Sequence, residues 1–188
     1  MRIISGSSKG KKILAPKDLN TRPLKDLTKE SIFNILAHSN KFSITLQNST
    51  VLDLFSGVGS FGLECLSRGS KHVTFIENYN NALLVLKKNI LNLGYQENSL
   101  IIEKNIIDNL NLKKIENKFD VIFLDPPYKE KKMPSILNNI IESNLLNNNG
   151  IIIIHRHKKE EDEFPEKFNI IEKKAYGISK IIFGSYFK

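Results

Sequence analysis

Asp125-Pro126-Pro127-Tyr128 is the sharpest chemical signal in this sequence of 188 residues. It directly follows an apolar run over 119–124 that reads as a buried strand. Two consecutive prolines fix the backbone and remove two amide donors, while their carbonyls stay as acceptors. Together with the Asp125 carboxylate they form a rigid acceptor cluster at the carboxyl edge of a sheet. Such a cluster suits the planar exocyclic amine of a purine, because it holds the two N–H groups and leaves the nitrogen lone pair facing an electrophilic methyl group. Tyr128 offers a ring on which a base stacks, once that base has left its own stack. The amine loses its proton as the C–N bond forms, so no strong base is needed beforehand, and Asp125 hydrogen-bonds to the proton or relays it. The rate gain comes mostly from alignment. The plainer alternative is a proline-stiffened turn with an exposed tyrosine.

A second constellation lies upstream, in Asp53-Leu54-Phe55-Ser56-Gly57-Val58-Gly59-Ser60-Phe61-Gly62. The pattern is strand, tight turn, helix start. Gly57 allows the sharp turn, Gly59 lets a ligand approach the backbone, and Gly62 lets the helix pack on the strand. Glu77, twenty residues beyond Gly57, ends the next strand, where a carboxylate accepts two hydrogen bonds from a ribose diol. These features fit a nicotinamide cofactor or S-adenosylmethionine. Asp53 tilts the choice: a carboxylate inside an apolar strand is costly unless paired. It would repel a pyrophosphate but favour a methionine ammonium or the amides of the glycine turn. Asn105, with Asp108 as its rival, follows the third strand where adenine's amine would lie. Ile106 would wall the ring.

The elements that must position these groups are legible as an alternation. Apolar runs at 51–55, 73–76, 100–102, 119–124 and 151–154 read as strands. Helical patterns at about 60–68, 79–93, 106–114 and 133–146 lie between them, the last stopped by 147–150. Residues 168–175 and 179–187 read as a closing antiparallel pair that turns at Gly177. Near-continuous apolar strands belong to a sheet covered on both faces, so the fold class is α/β, a doubly wound, mostly parallel sheet with a hairpin added. Ahead of it, 2–4 and 11–14 pair as short strands, and Thr28 caps a helix carrying Ile32, Phe33, Ile35 and Leu36. The segment 37–49 is a polar connection.

The formal charge is +8, and residues 1–40 hold eight basic against three acidic side chains. That clustering suits a polyanion such as nucleic acid or an anionic membrane surface. A lysine-rich composition explains the 24 lysines against four arginines but not their clustering. One cysteine, Cys65, excludes a disulfide framework and a Cys-rich zinc site, and no metal is expected. No apolar run approaches the roughly 20 residues that span a bilayer, and no leader pattern opens the sequence; a soluble cytoplasmic protein is expected. Residues 1–40 read as a basic extension and 41–188 as the catalytic domain.

The sequence resembles the RsmD family of bacterial small-subunit rRNA methyltransferases along nearly its whole length. Arg2-Ile3-Ile4-x-Gly6-x-x-x-Gly10-Lys11 resembles the family's N-terminal hairpin signature. Thr21-Arg22-Pro23 and then Glu30-Ser31-Ile32-Phe33-Asn34-Ile35-Leu36 resemble its next segment, and 53–69 its cofactor turn and following helix. The Asp-Pro-Pro-Tyr tetrad and Tyr176-Gly177 also match. The resemblance implies a seven-stranded, Rossmann-like class I fold that uses S-adenosylmethionine, releases S-adenosylhomocysteine and methylates N2 of a guanine in 16S rRNA, guanine 966 in the usual numbering. It implies catalysis at Asp125, Pro126, Pro127 and Tyr128. It implies cofactor contacts at Asp53, Phe55, Gly57, Gly59, Glu77, Asn78, Asn105, Ile106 and Asp125. The basic extension would grip rRNA through Arg2, Lys9, Lys11, Lys12, Arg22 and Lys29. The partner is 16S rRNA, in an assembling subunit, and the protein is expected to act as a monomer without membrane contact. The sequence departs from the family at Leu24, Lys29 and Asn105, and at His155-Arg156-His157, where a glutamate is common.

Three other readings stay open at this level. The tetrad does not separate guanine N2 from an adenine N6 in DNA or RNA. A nicotinamide-dependent oxidoreductase lacks any Tyr-x-x-x-Lys or His–Asp pair at useful spacing. A non-enzymatic RNA-binding module leaves the tetrad without a task. His155 and His157 read as strand-end surface groups or as side chains facing RNA, 158–163 as a solvated loop, and Phe33 as core.

Overall fold

Strands that are apolar on both faces stay out of water only when helices cover both sides of the sheet. The computed structural model, which describes residues 1–16, 18, 24–105, 112–127 and 130–186, has that arrangement. In chain order it runs α1 (Asp26–His38), β1 (Thr50–Leu54), α2 (Ser60–Ser67), β2 (His72–Glu77), α3 (Asn80–Leu93), β3 (Ser99–Glu103), β4 (Phe119–Leu124), α4 (Met133–Glu142), β5 (Leu146–His157), β6 (Phe168–Tyr176) and β7 (Ser179–Tyr186). The seven strands form one sheet in the order β3-β2-β1-β4-β5-β7-β6. β1 to β5 are parallel, and β7 runs antiparallel to both β5 and β6. This is the doubly wound, mostly parallel seven-stranded sheet expected from the sequence.

Alternation along each strand builds two cores. Val51, Phe75, Val121, Phe123, Ile151 and Ile153 meet α1, α2 and α3 on one face, while Leu52, Leu54, Ile122, Leu124, Ile152 and Ile154 meet α4 on the other. Phe33, Phe61 and Phe123 stack in series through the first core, with ring centroids 5.2 and 4.0 Å apart, so Phe33 is core. Ile3 and Ile13 belong to that same core. Residues 1–13 close on themselves, Ile3 N donating to the Lys11 carbonyl and Ile13 N to that of Met1. Only the Arg2–Lys12 pair has ladder geometry.

Boundaries differ from the sequence reading at three places. Helix α1 begins at Asp26 behind Lys25, with no side-chain cap, and Thr28 is buried within it. Its Cβ-branched side chain is spent on packing rather than on capping. Helix α4 stops at Glu142, before Asn144 takes a left-handed φ of 50°. The residues read as its stop, 147–150, instead open β5. Of the helix expected over 106–114, only a short 3-10 turn at Leu112–Lys114 falls among the described residues. No described helix is long and apolar enough to cross a membrane.

Gly62 lies where α2 crosses the sheet. A Cβ there would stand 2.4 Å from Phe75 Cε1 and 2.8 Å from Val73 Cγ1, both fully buried. Gly62→Ala is therefore expected to destabilise the protein by about 1–3 kcal/mol through overpacking, read as a lower urea midpoint at unchanged slope.

Candidate active site

Strand register aligns the site. Ile76, Leu54, Leu124 and Ile154 form one row across β2, β1, β4 and β5. The next residue of each parallel strand is Glu77, Phe55, Asp125 and His155. These four stand side by side at the carboxyl edge of the sheet. The chain runs from β1 outward to β2 and β3, then returns to β4 on the other side. The row therefore straddles the point where the winding reverses, where open α/β sheets leave a crevice.

Phe55 turns the chain out of β1 with φ 62°, a left-handed conformation uncommon for an aromatic residue. Gly57 follows with φ 54°, and the space where its side chain would be is open. Gly59 differs: at φ 83° its missing Cβ would sit 2.5 Å from Leu86 Cδ1 of α3, and its amide donates to the Ser56 carbonyl at 2.8 Å. The side-chain space at Gly59 is thus taken by α3, whereas that at Gly57 is open.

Glu77 is buried and organises the turn. Its Oε2 accepts the Gly57 amide at 2.8 Å, and its Oε1 accepts the amides of Asn78 and Tyr79 at 2.9 and 2.8 Å. A carboxylate has about four acceptor positions, so one remains, on Oε2. The two-hydroxyl grip expected from the sequence narrows to a single acceptor beside the glycine turn. Asn78 is exposed next to it, and Asn105 is half-buried just past β3. Ile106, Asp108, Arg22 and Tyr128 lie outside the described residues.

Asp53 lies one turn deeper, 1% exposed, and its Oδ2 accepts the Gly62 amide at 3.0 Å. Burial pushes its carboxyl well above the ordinary range; the Gly62 bond opposes that shift, and the charges of Asp125 and Glu77 add to it. Asp53 thus feels the charges of the two carboxylates at the strand ends above it.

Asp125 is partly exposed, with Oδ1 2.8 Å from His155 Nδ1, and His155 Nε2 is 2.9 Å from Ser179 Oγ. His155 is buried, 6% exposed, so it is not the surface group expected from the sequence. Nothing in its spacing pointed to a partner thirty residues upstream. The two prolines also differ. The Pro127 carbonyl already accepts from Glu130 N at 2.8 Å and Arg156 Nη1 at 3.2 Å. The acceptor cluster therefore reduces to the Asp125 carboxylate and the Pro126 carbonyl.

Arg156 pins this loop a second time, donating to the Glu130 carbonyl at 2.8 Å. Its Nε meets Asp162 at 2.7 Å, and Lys180 meets the same carboxylate at 3.0 Å. Asp162 is 3% exposed in its side chain, which corrects the reading of 158–163 as wholly solvated.

Among the basic candidates, Arg2, Lys9, Lys11 and Lys12 are exposed on the N-terminal hairpin. Lys29 is not available to a polyanion: it is 0% exposed, 2.7 Å from the Arg2 carbonyl, and paired with Glu64 at 3.5 Å and Asp26 at 3.8 Å. Its ammonium ties the hairpin to α2 through the Arg2 carbonyl and Glu64.

Comparison with known proteins agrees with this architecture. The family model described as Conserved hypothetical protein 95 matches residues 1–185. A protein of Haemophilus influenzae named ribosomal RNA small subunit methyltransferase D is 33% identical, over 95% of this chain and 90% of that protein. A protein of the same name from Buchnera aphidicola of Acyrthosiphon pisum is 35% identical, over 92% and 86%. The solved structure of HI0767 from Haemophilus influenzae has a TM-score of 0.77 at 29% identity, covering 100% of this chain and 98% of that one. That of yhhF from Escherichia coli has a TM-score of 0.80 at 23%, covering 99% and 97%. A matching family model over nearly every residue, full-length relatives above 30% identity and a shared sheet lead to one assignment: the chain belongs to the RsmD family.

Proposed function

We propose that this protein transfers a methyl group from S-adenosylmethionine to the exocyclic N2 of a guanine in small-subunit rRNA, guanine 966 in the usual numbering. The observation that carries this reading is the row at the winding reversal, where the acceptor pair of Asp125 and Pro126 stands two strands from Glu77. The names of the rRNA-modifying relatives support the substrate class.

The residues fit the cofactor. Gly57 leaves its side-chain space open, Glu77 Oε2 keeps an acceptor position for a hydroxyl, and the buried Asp53 carboxylate favours a cation nearby. S-adenosylmethionine, when bound, supplies an electrophilic methyl group on a positively charged sulfur. Asp125 and Pro126 hold the amine by its two hydrogens and aim its lone pair. Asp125 then accepts the proton that the amine gives up. Tyr128 supplies the stacking ring, and Asn78, Asn105 and Ile106 complete the adenosine side. Arg2, Lys9, Lys11 and Lys12, with Arg22, take phosphates beside the crevice. The substrate is an assembling subunit and the compartment the cytoplasm; the active form is a monomer, because a large RNA partner needs no two-fold symmetry.

The test is a mass-spectrometric map of rRNA methylation with and without the active protein. N2-methylguanine gained at one small-subunit position is expected; N6-methyladenine would move the reading to the other purine. No gained methyl group on an assembly intermediate would end it.

Asp53 adds a pH prediction for the ligand-free protein. Its folded carboxyl holds a proton to higher pH than the unfolded chain does. The stability it contributes is therefore complete below the ordinary carboxylate range and lost as pH rises through the folded value. Asp53→Asn keeps an acceptor for Gly62 and is expected to remove this decline in urea titrations run across that window.

A further inference from the structure

We propose that His155, backed by Ser179, is a positioning residue that fixes which oxygen of Asp125 faces the substrate amine; this rests on the methyl-transfer reading above. An ionised carboxylate only accepts hydrogen bonds. The contact of 2.8 Å between His155 Nδ1 and Asp125 Oδ1 therefore places a proton on Nδ1. In the neutral ring Nε2 is then the acceptor, and the Ser179 hydroxyl, 2.9 Å away, donates to it. The Asp125 contact thus sets the tautomer, and the Ser179 hydroxyl, which donates or accepts as required, holds the far edge of the ring. The ring is buried and held by β5, while Ser179 opens β7, which pairs with the end of β5 at His157. Rotation of the Asp125 carboxylate is arrested because Oδ1 is engaged. Oδ2, together with the Pro126 carbonyl, is left to receive the two amine hydrogens. His155 itself touches no reacting atom. A hydrophobic residue of similar size would fill the same space yet let the carboxylate turn, and misplacement by an ångström costs about a hundredfold in rate.

The experiment compares wild type, His155→Leu, His155→Asn, Asp125→Ala and the His155→Leu/Asp125→Ala double variant. Asn carries an amide donor close to the place of Nδ1. Single-turnover methylation, KM for RNA and calorimetric affinity for S-adenosylhomocysteine are measured on each. His155→Leu is expected to lose about ten- to a hundredfold in kcat, with KM and cofactor affinity within about threefold. His155→Asn recovers most of that loss, and His155→Leu adds nothing in the Asp125→Ala background. Nitrogen NMR of labelled histidine shows the Nδ1-protonated tautomer in wild type, and Asp125→Ala abolishes that preference. Wild-type kcat in His155→Leu overturns the inference, as does an Nε2-protonated ring. So does a loss shared equally by kcat, cofactor affinity and His155→Asn, which marks packing alone. An inactive wild type that holds the expected tautomer defeats the methyl-transfer reading instead.

Discussion

Asp125→Ala is expected to lower the rate of methyl transfer by about a hundredfold to ten-thousandfold, the range over which a positioned proton acceptor acts. Two roles are lost together. The amine loses the partner that aims its lone pair, and the proton it sheds loses its nearest acceptor. Cofactor affinity moves little, because the glycine turn is held by Glu77 through the Gly57 amide. Losing the hydrogen bond to His155 costs stability of about 0.5–1.5 kcal/mol, so assays run well below the variant's melting temperature. Single-turnover methylation with calorimetry on S-adenosylhomocysteine separates the effects. A rate within tenfold of wild type would falsify the role of this carboxylate.

Glu64→Leu carries the largest expected loss of stability, about 3–5 kcal/mol. Glu64 is fully buried in α2, and four groups converge on it. The amides of Ile4 and Ser5 donate at 2.8 and 2.9 Å, Arg68 Nε at 2.8 Å, and the Lys29 ammonium stands 3.5 Å away. Leucine fills the space but leaves two amides without their acceptor and the buried Lys29 ammonium with only Asp26, 3.8 Å away, as counter-charge. Burial already lowers the Lys29 pKa, opposed chiefly by Glu64 and Asp26. The folded protein therefore sheds that proton before the unfolded chain does, and stability from this group rises with pH below the ordinary lysine value. Removing Glu64 widens that window downward, so the variant's deficit shrinks in alkaline buffer. Adding Lys29→Met recovers part of the loss by removing the buried charge. Urea titrations at several pH values give these numbers, and amide exchange at Ile4 and Ser5 shows whether the hairpin loosens first. A melting midpoint unchanged by Glu64→Leu would contradict the buried pairing.

The sheet was legible because parallel strands covered on both faces write themselves as unbroken apolar runs, as at 151–154. The glycine turn and the tetrad were legible because their chemistry lies in consecutive residues. Partnerships formed across the sheet were not. His155 and Asp125 are thirty residues apart in sequence and adjacent only through the register of β4 and β5. Lys29 reads as one more cation in a basic segment until the fold brings Glu64 beneath it. Pro127 offers a carbonyl on paper that Arg156 and Glu130 already use. That Leu86 also needs the missing side chain at Gly59 shows only once α3 is packed in place. Asn147 to Asn149 carry turn-forming side chains but fall within β5, where they make the irregularity between the Phe119–Leu146 and Val121–Ile151 pairs.

The anchoring of the N-terminal hairpin has a consequence for synthesis. Ile4, Ser8 and Leu14 reach partners 60, 59 and 75 positions further along, at Glu64, Ser67 and Asn89. At about 5–20 residues per second those partners leave the ribosome roughly 3–15 s later. Throughout that interval the cationic stretch hangs in solvent beside the RNA-rich surface of the particle making it, and it locks down only when α2 and α3 arrive.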